Sequence, residues 1–209
     1  MGLCRPKPQV KHIMLTAVSG AVLCGGLNTR MHGRTKSHLP LGRQTFLQRL
    51  TQTLQSVCSE TSIITRNPEE YSSCNLPVHT DIFSLRCSLS GIHAALSYSP
   101  CKHVFITACD TPLLMPGVIR LLMEKGSEAD DVVVPVINGY YEPLCAIYSQ
   151  NCLPLLSRLL ENRQAKISGM YSRVRVHMVQ EAEVRTVDPH LDSFINVNTP
   201  EDLFSLQKR

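Results

Sequence analysis

The sequence predicts an α/β protein with a mostly parallel sheet. Short β-rich runs alternate with longer amphipathic stretches along the chain. The stretches between the runs are long enough for crossover connections, which is how parallel neighbours are joined. No internal repeat or low-complexity segment interrupts the pattern. The expected strands are "TAVSGAVL", "SIIT", "PVHT", "KHVFITA", "DVVVPV", "CAIYS" and "VRVHMV". In "QTFLQRLTQTLQSV" the apolar residues Phe46, Leu47, Leu50, Leu54 and Val57 fall on one helical face. "GVIRLLMEKG" and "CLPLLSRLLEN" read the same way. The last helix opens with Thr199 as N-cap, Pro200 at the first position and Asp202 at the third. The stretch 138–175 looks less regular and reads as a substrate-facing insertion.

At 209 residues, one domain of ordinary size is expected, with a basic N-terminal extension over 1–15 and the domain over 16–209. Hydrophobic residues make up 43% and charged residues 18%, the balance of a folded globular chain. There is no Trp, and the net charge is only +4, so neither a base-stacking surface nor the basic tract of a nucleic-acid binder is present. No apolar run reaches the roughly 18 residues of a membrane span. The nine cysteines show no C-x-x-C and no zinc spacing, and read as reduced thiols in a cytoplasmic protein. "MGLCRPKPQVK" followed by "HIMLTAVSGAVLC" imitates an export signal, but Thr16, Ser19 and Gly20 interrupt its apolar part and no clean cleavage site follows.

Ligands of open parallel sheets bind beyond the carboxyl ends of the strands, so the residues there are the informative ones. After the first strand comes "LCGGLNTRMHGRTK". Gly25 and Gly26 permit a sharp turn whose free N–H groups form a nest for phosphate oxygens. Arg30 and Lys36 lie beyond them and supply countercharge. The loop is neither a Walker A nor a G-x-G-x-x-G sequence. "HVFITACDTPLL" ends its strand on Asp110, a carboxylate placed to hold Mg²⁺, which takes one or two protein carboxylates and completes its shell with phosphates and water. Asp110 could equally cap the turn that follows. Asp81 follows the strand in "VHTDIF" and is a candidate for a nucleobase or sugar contact, or an ordinary Asx turn. Asn196 and Asn198 in "INVNTPEDL" are placed to meet a substrate or to pin the turn. His32, His38, His93 and His103 have no partner pattern and read as surface or locally bonded residues; no Ser-His-Asp arrangement is visible.

Four stretches, in order, resemble one family. "LCGGLNTRMHGRTKSHL" is similar to the signature loop LAGGxSxRMGxxK of the nucleotidyltransferases related to molybdenum cofactor guanylyltransferase. "ACDTP", "YEPLCAIYS" and "FINVNTPEDL" resemble that family's metal-aspartate, central and C-terminal motifs. The resemblance runs from about Gly20 to Leu206. It implies a three-layer α/β/α Rossmann-like nucleotidyltransferase fold with a twisted, mostly parallel sheet. It implies that Leu23, Cys24 and Gly25 contact base and phosphates, that Lys36 binds the triphosphate, and that Asp81 contacts the nucleotide. Asp110 would hold Mg²⁺, and Thr65 stands where the family has a base-contacting Asn. The second glycine of "LCGG" is similar to the guanylyl branch rather than to the cytidylyl branch, which generally shows LAAG. Cys24, His32, Thr35, Thr65 and Ser88 depart from the family pattern and cluster at the nucleotide site, where they bear on base selectivity more than on reaction class.

The reaction implied is transfer of GMP from GTP to molybdopterin cofactor, Mg²⁺-dependent, with release of pyrophosphate. The attacking phosphate is already ionised at neutral pH, so catalysis reduces to positioning and charge neutralisation. Molybdenum-insertion proteins and molybdoenzyme chaperones would be the partners, with no nucleic acid and no membrane. Two other functions fit the same residues: a cytidylyl or sugar-phosphate nucleotidyltransferase of this fold, and a non-catalytic nucleotide-binding homologue.

Overall fold

The computed structural model of the protein describes residues 14–25 and 36–208. In chain order the elements are β1 (Val18–Leu23), β2 (Pro40–Leu41), β3 (Gln44–Thr45), α1 (Phe46–Gln55), β4 (Thr61–Ile64), β5 (Val78–His79), α2 (Ser88–Tyr98), β6 (His103–Ala108) and α3 (Pro116–Lys125). They continue as β7 (Val132–Ile137), β8 (Tyr140–Tyr141), β9 (Cys145–Ser149), α4 (Leu153–Glu161), α5 (Ser168–Tyr171), β10 (Val176–Gln180), α6 (Glu181–Val184) and α7 (Pro200–Gln207). Among the described residues one sheet has the order β10-β7-β9-β6-β1-β4-β5, with β8 added to β7. β1 pairs in parallel with both β4 and β6, and β5 with β4 and β10 with β7 are parallel too. The exceptions are β9, antiparallel to β6 and β7, and β8, antiparallel to β7.

Helices cover both faces, and alternate residues of each strand feed the two cores. Val18 and Val22 of β1, Phe105 of β6 and Val133 of β7 pack with Leu47, Leu50 and Leu54 of α1 and with Val118, Ile119 and Leu122 of α3. Ala21, Val104, Ile106, Val132 and Val134 pack on the other face with Leu89, Ile92 and Leu96 of α2 and with Leu156, Leu159 and Leu160 of α4. Period-two strands serving two helix layers give the three-layer α/β/α arrangement. Leu15 is buried in the first of these cores and donates its N–H to Met123 O, so the domain's packing already includes it.

Local chemistry explains the element ends. Thr45 Oγ1 accepts from Gln48 N at 3.2 Å and Gln48 Oε1 accepts from Thr45 N at 2.8 Å, a reciprocal cap on α1. The expected cap on α7 forms in the same way from Thr199 and Asp202. α2 has no polar face to speak of: Leu89 through Leu96 are all buried. A helix apolar nearly all round carries no 3.6-residue stripe, so periodicity does not single it out. Gly91 is what lets α2 come so close to the sheet, since a Cβ there would meet Leu23 Cδ1 at 3.0 Å.

Two expectations need correcting. Much of 138–175 is core: β9 lies between β6 and β7, and α4 packs on the sheet. His103 is buried rather than on the surface, while His93 is buried and bonded, the other arrangement expected of it. His93 Nε2 is bonded with Ser157 Oγ at 2.9 Å, whereas His103 Nε2 has no partner among the described residues. The cysteines described are free, as expected of reduced thiols.

Asp131, at the head of β7, ties down the edge strand β10. Its carboxylate accepts from Arg175 N at 2.9 Å, Arg175 Nε at 3.2 Å, Arg175 Nη2 at 3.1 Å and Asn151 Nδ2 at 3.3 Å. The Arg175 side chain, first, and then its backbone N–H hold this carboxyl below its ordinary range. A depressed folded-state value means stability that is present above the unfolded value and lost as the pH falls through the folded one. Asp131→Asn should therefore lower the melting temperature at pH 7, and the gap from wild type should close below about pH 4, in paired thermal melts across pH.

Candidate functional site

The site lies where the chain reverses direction through the sheet. From β1 it goes to β4 and β5 on one side, then crosses to β6 on the other. The carboxyl end of β1 is thus a switch point, open between two diverging connections. A cavity of about 320 Å³ sits there. Leu23 and Gly25 from the end of β1, Lys36, Asp81 and Asp110 all line it.

Asp110 is set by the turn that ends β6. Thr111 Oγ1 donates to Ala108 O at 3.0 Å and shares a hydrogen with Thr107 Oγ1 at 3.2 Å. Cys109 N donates to Leu23 O at 3.1 Å, which continues the β1–β6 ladder into the turn. Asp110 O accepts from Val197 N at 2.8 Å, so the same residue anchors the C-terminal segment. That segment then presents Asn198, whose N–H donates to Asp202 Oδ2 at 2.9 Å in the α7 cap. Lys36 Nζ closes the ring: it donates to Asn198 Oδ1 at 2.6 Å and lies 3.3 Å from Asp110 Oδ2. Three distant sequence stretches therefore meet at one ammonium group.

The other end of the cavity is formed by Arg66, Asp81, Arg86, Cys87 and Ser88. Arg66 Nε lies 2.8 Å from Asp81 Oδ2. Burial pushes the Asp81 carboxyl up from its ordinary range, and Arg66 pulls against that. Cys24 and Cys109 lie side by side at neighbouring strand ends. Hydrogen bonding to Cys109 and then burial raise the Cys24 thiol well above its usual value. Cys24 is thus a small, half-buried neutral group at neutral pH.

The expected residues do not all converge. Thr65 is buried away from the cavity, its hydroxyl donating to Cys24 O at 3.4 Å and accepting from Asn67 N at 3.2 Å. Asn196 is exposed and is not among the lining residues. Gly26 and Arg30, with His32 and Thr35, fall outside the described residues. Arg66 and Arg86 are site residues that motif reading passed over. Arg66 directly follows the "SIIT" run, so the strand-end rule that singled out Asp110 points to it as well.

Known proteins resemble this chain in sequence and fold. Residues 20–177 match the MobA-like NTP transferase domain. A molybdenum cofactor guanylyltransferase of Desulfosudis oleivorans is 39% identical over 90% of this chain and 94% of its own. The chain belongs to the molybdenum cofactor guanylyltransferase family. It is a nucleotidyltransferase. A probable molybdenum cofactor guanylyltransferase of Carboxydothermus hydrogenoformans is 36% identical over 90% of this chain and 94% of its own. The crystal structure of molybdopterin-guanine dinucleotide biosynthesis protein A from Archaeoglobus fulgidus superposes with a TM-score of 0.81 at 27% identity, covering 91% of this chain and 97% of that one. Among the described residues no helix is long and apolar enough to cross a membrane.

Preorganised charges of this kind are worth about 10²–10³ in rate. Lys36→Ala and Asp110→Ala should each cut nucleotidyl-transfer turnover by roughly that factor, with unchanged circular dichroism. Near-normal turnover by purified Asp110→Ala would remove that residue from the machinery.

Proposed function

We propose that this site transfers GMP from GTP to molybdopterin cofactor, releasing pyrophosphate and leaving molybdopterin guanine dinucleotide. The observation that carries the reading is the meeting of Lys36, Asp110 and Asn198 at the carboxyl end of β1, beside Gly25. The names of the relatives support the choice of GTP and of the pterin acceptor.

The acceptor's phosphate is an ionised nucleophile at neutral pH, so no side chain has to remove a proton. What the chain supplies is position and charge. The N–H groups of Gly25 and Gly26 cradle the phosphates. Lys36 and Arg30 balance the charge that develops on the departing pyrophosphate. Asn198 holds the Lys36 ammonium in place from below, and Asn196 lies on the segment that approaches the acceptor. At the far end, the Asp81 carboxylate accepts from the N–H groups of the guanine edge.

The donors around Asp110 fit Mg²⁺. Among the described residues no three acidic, His or Cys side chains could hold a metal by themselves. A single carboxylate in a phosphate pocket suits a hard ion that arrives with phosphate and water ligands. When bound, Mg²⁺ would supply charge neutralisation at the α-phosphate. Molybdenum-insertion proteins and molybdoenzyme chaperones would be the partners upstream and downstream, in the cytoplasm.

The test is pyrophosphate release with molybdopterin cofactor supplied, comparing GTP, CTP and ATP at fixed Mg²⁺. GTP should be preferred by about 10²-fold or more, as a site built to hydrogen-bond one base edge allows. Preference for CTP would reject guanylyl transfer. Nucleotide binding with no pyrophosphate release would favour a non-catalytic homologue.

A further inference from the structure

Between β5 and α2 the chain runs from Thr80 to Cys87 without a helix or strand, and this stretch forms one end of the cavity. One side chain from elsewhere ties it down. Arg66, just after β4, lies 2.8 Å from Asp81 Oδ2 through Nε. Its Nη2 donates to Phe83 O at 3.2 Å and to Leu85 O at 2.9 Å. Leu85 O also accepts from Ser90 Oγ of α2 at 2.6 Å, so the tie reaches the second helix. The planar guanidinium can meet a carboxylate and two carbonyls at once, and an ammonium cannot reproduce that fork.

The pair is a poor device for stability alone. Both side chains are largely buried, at 23% and 11% exposure, and ion pairs held out of water seldom gain more than their desolvation costs. The contact that Arg66 Nε makes is to one oxygen of the carboxylate, Oδ2. A carboxylate with one oxygen fixed in this way is an acceptor of defined position for adjacent N–H donors on a base.

We propose that Arg66 is the positioning residue for nucleobase recognition, fixing Asp81 and the 80–87 segment so that one carboxylate oxygen meets the N–H edge of guanine. The inference rests on the guanylyl-transfer reading. Arg66 itself need not touch the nucleotide; it acts through Asp81. Burial alone would favour the neutral carboxyl, a weaker acceptor, and the guanidinium counters it.

The test is a double-mutant cycle on the full chain, with GTP steady-state kinetics and direct GTP binding by equilibrium dialysis. Arg66→Gln and Asp81→Asn should each raise KM for GTP about 10- to 100-fold, the worth of a hydrogen bond to a charged group. Both should raise KM more than they lower kcat. The loss in the double variant should fall well short of the product of the two single losses, because Arg66 acts mainly through Asp81. Arg66→Lys should recover part of the loss. Unchanged KM in Arg66→Gln, or losses that multiply in the double variant, would overturn the proposal. If Arg66→Gln melts below the assay temperature, Arg66→Lys decides: a wild-type KM overturns the proposal and a raised KM with wild-type melting supports it. Wild-type protein that neither binds nor turns over GTP would instead reject the functional reading itself.

Discussion

Lys36 and Asp110 face each other at 3.3 Å across 74 residues of chain, and the rest of the site is arranged to keep them there. Their side chains are only 13% and 22% exposed. A cation or a carboxylate held that far from water alone is costly, so each makes the other tolerable. Asn198 adds the 2.6 Å bond that fixes the ammonium, and the α7 cap fixes Asn198. The β1–β6 pairing, carried past the strand ends by the Cys109 N–H, fixes Asp110. On the proposed function, a triphosphate with its metal ion would offer each member of the pair a stronger partner than the other does: phosphate oxygens for the ammonium, the metal for the carboxylate. The pair thus keeps the site charged and assembled for a ligand of the opposite pattern.

The fold supplies the place and not the nucleotide. Proteins that share a fold need not share a substrate. The switch point beyond β1 is common ground for such proteins. The proposed choice of base falls to the other end of the cavity, lined by Arg66, Asp81, Arg86 and the start of α2. There the chain has little regular structure, and a few polar contacts stand in for it.

How much of this was legible in the sequence follows from what each element is made of. β1, β6 and β7 announce themselves as apolar runs, and α1 and α4 as one-faced stripes, because their partners lie where the pattern says. α2 is different: buried on nearly every side, it shows no stripe, and its place is decided by packing against strands far along the chain. β9 could be read as a strand but not as an antiparallel one, since direction depends on the connection and not on composition. Lys36 and Asp110 stood out because each follows a strand and a special local sequence. Thr65 is marked only by the family resemblance, and its hydroxyl bonds Cys24 O and Asn67 N. Arg66, one residue on, lines the cavity instead, and its place just after a strand run is the mark that sets it apart among twenty-one cations.

The central claim is that Asp110, paired with Lys36, receives the metal that comes with the triphosphate. Electron paramagnetic resonance with Mn²⁺ as the probe tests it directly, by titrating the ion with and without GTP on wild type and on Asp110→Asn. Wild type should bind Mn²⁺ much more tightly when GTP is present, and the Asn variant should lose that gain while its melting curve stays that of a folded protein. Equal Mn²⁺ affinity of the two proteins in the presence of GTP would contradict the assignment.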